Sequence, residues 1–388
     1  MDASRNHQID QSDVSGGVEN DDKFGRVLAA GDFNDDGYAD LAVGVPGESQ
    51  SGDESGRDAI IYGSSNGLTS TGHQSFNQDS PGISDQTEDG DQFGRSLAVG
   101  NFNGDDFADL AIGVPDENGN GRDSGLFHVL FGSGSGLTGT GSQTFSQDDL
   151  GDSREKDDHF GWALAAGDYD SDGVDDLVVS APWEDSKDRG RIHLLYGVRY
   201  DQPNPGLSNS GTSFLGANGD RLGFALTAGH FSDGQKADFA ASRPGWNTTY
   251  ISKTRYDAGQ VTVYYSANAN GTTSWSQKSS TVYGAPETDD RFGSSLVAGN
   301  FNGDTRDDLA IGTKYESVNN DKEYFNSWLG SGGGAAARED YDADLVGLIV
   351  ENLGDGALPA RGLVVDRLIT GRVFEHSLRA STPFRAQV

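Results

Sequence analysis

Residues Phe24 to Pro46 read FGRVLAAGDFNDDGYADLAVGVP, and the same pattern returns four more times along the chain. It appears as FGRSLAVGNFNGDDFADLAIGVP from Phe93, FGWALAAGDYDSDGVDDLVVSAP from Phe160, LGFALTAGHFSDGQKADFAASRP from Leu222 and FGSSLVAGNFNGDTRDDLAIGT from Phe292. The openings are 69, 67, 62 and 70 residues apart, and the acidic loop always begins eight positions after the Phe or Leu. A fixed period of this size is the mark of a repeat architecture and overrides the two or three domains that 388 residues would otherwise imply.

Within each unit the apolar runs are short and strand-like. LAVGV (Leu41 to Val45) and LVVSA (Leu177 to Ala181) end at Pro, a turn signal after a buried strand. A third run follows in AIIYG (Ala59 to Gly63), LFHVLFG (from Leu126), RIHLLYG (from Arg191) and QVTVYY (from Gln260). QSFNQ (Gln74 to Gln78) and QTFSQ (Gln143 to Gln147) supply a fourth. Four short antiparallel strands per unit predict an all-β propeller of five recognisable blades over residues 1–330. HQIDQSDVSGGVENDDKFG from His7 matches the fourth strand and link of a unit, while the fifth unit lacks a clear fourth strand. An N-terminal strand is therefore expected to complete the last blade and hide the sheet edges.

Each intact loop places side-chain oxygens at positions 1, 3, 5 and 9 and a backbone carbonyl at position 7. The sets are Asp32, Asn34, Asp36, Tyr38 and Asp40; Asn101, Asn103, Asp105, Phe107 and Asp109; Asp168, Asp170, Asp172, Val174 and Asp176; Asn300, Asn302, Asp304, Arg306 and Asp308. Hard oxygens at alternating positions, with Gly37 or its equivalent allowing the sharp turn, suit Ca2+, which takes six to eight oxygen ligands. The opening D-x-[DN]-x-[DN]-G is that of an EF-hand loop, but flanking helices and a Glu at position 12 are missing. The fourth loop has His230, Ser232 and Gly234 at positions 1, 3 and 5 and keeps only Asp238. Four filled sites and one empty loop are expected, tightest at the third loop, which has four carboxylates, and weakest at the second and fifth. Asp/Asn/Gly runs also make good hairpin turns, but four loops in one register argue for metal.

The FG dipeptides (Phe24-Gly25, Phe93-Gly94, Phe160-Gly161, Phe292-Gly293), the acidic loop and the terminal Val45-Pro46, Val114-Pro115 and Ala181-Pro182 resemble the FG-GAP repeat family, best known from integrin alpha propellers. The resemblance covers about residues 7–330. It implies a calcium-stabilised propeller serving adhesion or interaction outside the cell; bacterial relatives are commonly secreted, sometimes as appendages to hydrolases. Seven integrin-type blades at the shortest interval here exceed 388 residues, and no Arg-Gly-Asp occurs, so integrin-type ligand recognition is not carried over.

Composition narrows the function further. The formal charge of −33 argues against a nucleic-acid partner, and the absence of Cys excludes disulfides, thiol nucleophiles and Cys-ligated metals. No apolar leader and no 18-residue apolar run is visible, so no membrane insertion is expected. Four divalent ions would bring the charge to about −25, leaving a solvated acidic surface. His73, His128, His159 and His193 fall in repeated segments and no G-x-S-x-G or H-E-x-x-H occurs, so no catalytic constellation is assigned. The alternative is a calcium-dependent polysaccharide lyase or hydrolase, or its carbohydrate-binding part. Trp162, Trp183, Trp246, Trp275, Tyr250 and Tyr256 would favour a glycan ligand if exposed on one face, and a protein ligand if buried. Residues 331–388 leave the repeat; Tyr341, Leu345, Leu348, Ile349 and Leu353 have helical spacing, and a docking tail or divergent blade fits equally.

Overall fold

The computed structural model describes residues 8–14, 17–49, 54–119, 122–232, 236–266, 271–280, 282, 285–301, 303–315, 326–327 and 349–350. These residues form five successive antiparallel sheets, one per repeat. The first holds β1 (Val27–Gly31), β2 (Asp40–Val45), β3 (Arg57–Tyr62) and β4 (Thr69–Phe76). The second holds β5 (Ser96–Gly100), β6 (Asp109–Val114), β7 (Leu126–Phe131) and β8 (Thr138–Phe145). In the third, β9 (Leu164–Gly167), β10 (Asp176–Ala181) and β11 (Arg191–Leu195) pair in turn. A two-stranded excursion, β12 (Gly197–Val198) with β13 (Gly206–Leu207), then precedes the outer strand β14 (Thr212–Leu215).

The fourth sheet runs β15 (Leu226–Gly229), β16 (Asp238–Arg243), β19 (Gln260–Tyr265) and β20 (Gly271–Trp275). A separate hairpin, β17 (Thr248–Tyr250) with β18 (Lys253–Arg255), is inserted before β19. The fifth has β21 (Phe292–Gly299), β22 (Asp308–Thr313) and β23 (Asn326–Ser327), with β24 (Ile349–Val350) also on β22.

Second strands such as DLAIGV (β6) are buried at every position, because they are covered on both faces by the neighbouring sheets. Fourth strands are rich in Thr, Ser and Gly and alternate toward solvent, as edge strands do. First strands of successive sheets, β1, β5, β9, β15 and β21, lie against one another in order. This is the propeller arrangement that the repeat predicts.

One apolar cluster fills each interface. Phe33, Ile60, Phe93 and Ile112 join the first two blades, and Phe102, Phe127, Phe160 and Val179 the next two. Ile192, Leu222 and Phe239 follow, then Val261, Phe292 and Ile311. The FG Phe is therefore an inter-blade wedge: Phe93, Phe160 and Phe292 have no accessible surface. Each bridges in parallel to a Gly before the third strand of the preceding blade, as Phe93 does to Gly56. The following Gly has positive φ, 80° at Gly94, where a Cβ would lie 2.1 Å from Asp58 Oδ1. Only glycine fits there.

At the two ends of the array the faces are more open, with Leu28 of β1 and Val297 of β21 half-exposed. The expected N-terminal closing strand opens at His7, which lies outside the described residues. Gln11–Asp13 make a short 3-10 helix capped by Asp10, as Gln147–Leu150 do after β8, and Val14 packs on Val43, Ala59 and Ile61 of the first blade. Of the tail, expected as a short helix, a docking segment or a divergent blade, only residues 326–327 of the fifth unit and Ile349–Val350 lie within the described residues beyond Tyr315; Ile349–Val350 form β24, with Val350 opposite Leu309 of β22.

Candidate metal centre

The acidic loop is the turn between the first and second strand of each blade, so all five loops lie at one end of the sheets. In the third loop, carboxylate oxygens of Asp168, Asp170 and Asp176 lie within 4.8 Å of one another. Burial, with Asp170 and Asp168 adding repulsion, pushes Asp176 up to about 7; burial and Asp172 raise Asp170. A divalent cation would relieve that repulsion, and the all-oxygen donor set fits Ca2+. Asp168 also accepts from Gly173 N at 3.0 Å, and Asp172 from Val174 N at 2.9 Å, so the loop is already folded around its carboxylates. Val174 is buried, leaving its carbonyl as its only possible contribution.

The first loop repeats this hydrogen bonding. Asp32 accepts from Gly37 N at 2.8 Å, Asn34 from Asp36 N at 3.1 Å and Asp36 from Tyr38 N at 2.9 Å. In the second, Asn101 donates to the Asp105 carbonyl, its own Oδ1 is buried without a partner, and Asp105 accepts from Phe107 N at 2.8 Å. Asn103 Oδ1 accepts from Asp105 N at 2.9 Å. In the fifth, Asn300 Oδ1 accepts from Gly303 N at 2.7 Å and Asp304 from Arg306 N at 2.7 Å, while Asn302 lies outside the described residues. Among the described residues, the third loop alone of the five brings three carboxylates together. In the fourth loop, Gly234 is outside the described residues and His230 Nδ1 is 3.2 Å from the Lys236 carbonyl.

The ninth-position Asp has a second duty that its spacing did not reveal. Asp40, Asp109, Asp176 and Asp308 each accept, through Oδ2, the N–H of loop position 2 at 2.8–2.9 Å. Through Oδ1, Asp40, Asp109, Asp176 and Asp238 accept an N–H just beyond the third strand, from Gly63, Gly132, Gly197 and Ser266. This backbone role explains why the degenerate fourth loop keeps Asp238. Successive loops are also chained: Ala108 N donates to the Asp32 carbonyl, Asp175 N to Asn101, Ala237 N to Asp168 and Asp307 N to His230. The aromatic at position 2 (Phe33, Phe102, Tyr169) is buried in the blade interface and anchors the loop.

At the opposite end of the sheets, Glu88, Asp91 and Glu117, and likewise Glu155, Asp158 and Glu184, bring carboxylate oxygens within 4.8 Å. The sequence reading left these acids on a solvated surface, yet Asp91, Glu117, Asp158 and Glu184 are buried. The signal was present as E-x-x-D ending one residue short of FG, and as P-x-E after the second strand.

The histidines are held as packing residues. His128 is fully buried with Nδ1 2.9 Å from Thr144 Oγ1, and burial pulls it down to about 3. His193 is buried 3.5 Å from Asp152, His73 meets the Ser70 carbonyl, and His159 pairs with Asp116 at 2.6 Å. Trp162, Trp183, Trp246, Trp275 and Tyr250 are half-buried, and of these six aromatics Tyr256 alone is exposed. Trp162 and Trp183 pack edge-on at 4.5 Å, with the Arg95 guanidinium 4.2 Å over Trp162. Their faces are thus occupied by protein rather than presented to a sugar.

The FG-GAP repeat profile matches residues 24–57, 93–130, 160–195 and 292–327, leaving out the unit that opens at Leu222. Over 179 residues, 45% of this chain, it is 36% identical to "Phosphatidylinositol-glycan-specific phospholipase D" of Rattus norvegicus, covering 20% of that protein. It is 28% identical over 261 residues to "Integrin alpha-PS2" of Drosophila melanogaster, 64% of this chain and 17% of the relative. With "Integrin alpha-V" of Gallus gallus it shares 31% over 178 residues, 46% of this chain and 16% of the relative. The chain spans a fifth or less of the length of these relatives. Four matched repeats, each opening a four-stranded sheet, three of them with an FG Phe wedged against the blade before it, make this chain a member of the FG-GAP repeat family.

Proposed function

We propose that this chain is a calcium-stabilised, non-catalytic interaction module that works outside the cell and offers its inter-blade loops to a protein partner. The observation that carries the calcium is the convergence of Asp168, Asp170 and Asp176 in a loop whose oxygen pattern is repeated three more times. Asp32, Asn34, Asp36, Asp40 and the Tyr38 carbonyl would hold one ion, with the corresponding residues of the second, third and fifth loops holding the others. Bound there, an ion neutralises carboxylates and pins the hairpin between first and second strands. Binding to the folded form alone adds stability by mass action.

Similarity to integrin alpha chains supports an interaction role. No helix among the described residues is long and apolar enough to cross a membrane. The β17–β18 hairpin, at the end of the sheets opposite the acidic loops, is the part best suited to contact. Its tip residue Ile251 is 79% exposed and sits at φ 45°, a left-handed conformation costly for a β-branched side chain, and Tyr256 is exposed just past the hairpin's base. Half-buried tryptophans weigh toward a protein ligand over a glycan. A matrix-protein and glycan array probed with the full chain in calcium tests this: binding that falls in Ile251→Asp supports it. Turnover of a polysaccharide by the purified chain would overturn it in favour of a lyase or hydrolase.

A further inference from the structure

A second set of oxygens repeats with the blades at the end where blades are joined. The link before each FG carries Glu19 and Asp22, Glu88 and Asp91, Glu155 and Asp158, or Glu287 and Asp290. The turn after the second strand carries Glu48, Glu117 or Glu184, and the end of the preceding fourth strand carries Gln78 or Gln147, with Gln11 taking that place before the first blade. These three segments meet. Gln11, Gln78 and Gln147 donate through Nε2 to Glu48, Glu117 and Glu184 at 2.6–2.7 Å.

Between the first and second blades the cluster has no counter-charge of its own. Asp91, Glu117 and Gln78 are buried, Gln78 and Asp91 completely, and the charges bearing on Asp91 and Glu117 are Glu88, Asp85 and each other. Two oxygens there have no hydrogen-bond partner, Gln78 Oε1 and Asp91 Oδ1. At the next interface Arg191 stands 3.3 Å from Glu184, whereas the same ladder position in the second blade, opposite Val114, is Leu126. Two buried carboxylates, Asp91 and Glu117, with the exposed Glu88 within 4.8 Å of both, must share protons or a cation.

We propose that Glu88, Asp91, Glu117 and Gln78 hold a divalent cation of the hard, oxygen-seeking class, clamping the first blade to the second at the end opposite the acidic loops. The donor set is oxygen only, which suits Ca2+ or Mn2+ over softer metals. Turning over the Gln78 amide brings Oε1 to where Nε2 now meets Glu117 and adds a fourth ligand. The fourth unit supports a shared ligand: it has Gly216, Ala217 and Trp246 at the Gln, first Glu and second Glu positions, so these groups were lost together. Asp220 stays because it caps its own turn, accepting from Ala217 N at 3.1 Å. This site does not depend on calcium in the acidic loops.

The test is equilibrium dialysis of Ca2+ alone against the metal-stripped full chain, with the Tm read in parallel. Glu117→Gln should bind one equivalent fewer than the parent and lose part of the calcium-induced rise in Tm, while its metal-free Tm stays equal or increases. Asp172→Asn, in the third acidic loop, should lose a different equivalent, so that the double variant lacks two. If Glu117→Gln folds poorly, Gln78→Leu takes its place and should weaken one equivalent tenfold or more. Glu117→Gln binding as many ions as the parent, or Gln78→Leu binding with unchanged affinity, overturns the proposal and leaves a proton-sharing cluster. Loss of the Asp172→Asn effect alone would overturn the loop sites and leave this one standing.

Discussion

Between the second and fourth blades the backbone repeats nearly bond for bond, while the side-chain oxygens do not. Asp109 and Asp238 both tie their loop to the end of the third strand, and Asp91 and Asp220 both cap the link before the next wedge. Phe93 N and Leu222 N both donate back to the preceding blade, at 2.9 and 3.1 Å. Yet the fourth blade has His230 and Ser232 where the second has Asn101 and Asn103, and Trp246 where the second has Glu117. The frame is thus separable from the oxygens. Asp220 and Asp238, the acids that persist in the degenerate unit, each satisfy a backbone N–H group.

Chelation should break this comparison most visibly. With the proposed ions in the first, second, third and fifth loops and none in the fourth, exhaustive EDTA treatment should lower Tm by roughly 10–20 °C if each site contributes about 2.7 kcal/mol. An unchanged melt would sink the structural role of calcium. The chelated chain should also respond to pH with a defined sign. Burial pushes Glu184 up to about 8 and Asp91 and Glu117 up to about 7, so the folded form binds more protons than the unfolded one between about pH 4 and 8. Stability is full below the unfolded carboxyl range and is lost as pH rises through 7 to 8; calcium should flatten that decline. A melt of the stripped protein that rises from pH 5 to 8 would contradict it.

The shared frame predicts effects that calcium does not alter. Gly94→Ala and Gly223→Ala force a Cβ to within 2.1 Å of Asp58 Oδ1 and 2.6 Å of Ser180 Cβ at φ 80° and 87°. Each should cost roughly 2–4 kcal/mol in thermal or denaturant melts, with or without metal. Gly25→Ala, with φ 77° and open space around it, should cost only about 1 kcal/mol. Asp58 gives the opposite sign: it is fully buried, neither oxygen has a partner, and burial raises it well above the carboxylate range. The other blades carry Phe127, Ile192 and Val261 at the same ladder position. Asp58→Val should stabilise by about 1–3 kcal/mol in denaturant melts at pH 7. The smallest effect is expected between loops: Asp304→Asn in the fifth should lower the calcium-dependent Tm less than Asp172→Asn in the third, where other carboxylates already converge.

Much of this was legible in the chain itself. Phe24-Gly25 and its copies, the loop beginning eight residues on and the Pro-terminated second strand pointed to five repeated four-stranded sheets and their strand order, because a repeated unit must fold the same way wherever its local contacts repeat. The tail was less legible, because helical spacing around Ile349 says nothing about β22, on which β24 pairs.

The amino-acid sequence alone determined the propeller and the acidic loops, since a turn nine residues long contains all of its own side-chain oxygens. Only the tertiary structure decided that Gln78, Asp91 and Glu117 are buried together beside Glu88, and that Asp109 is also a backbone staple. Those groups come from separate segments, and their proximity is created when one blade packs on the next and water is excluded between them.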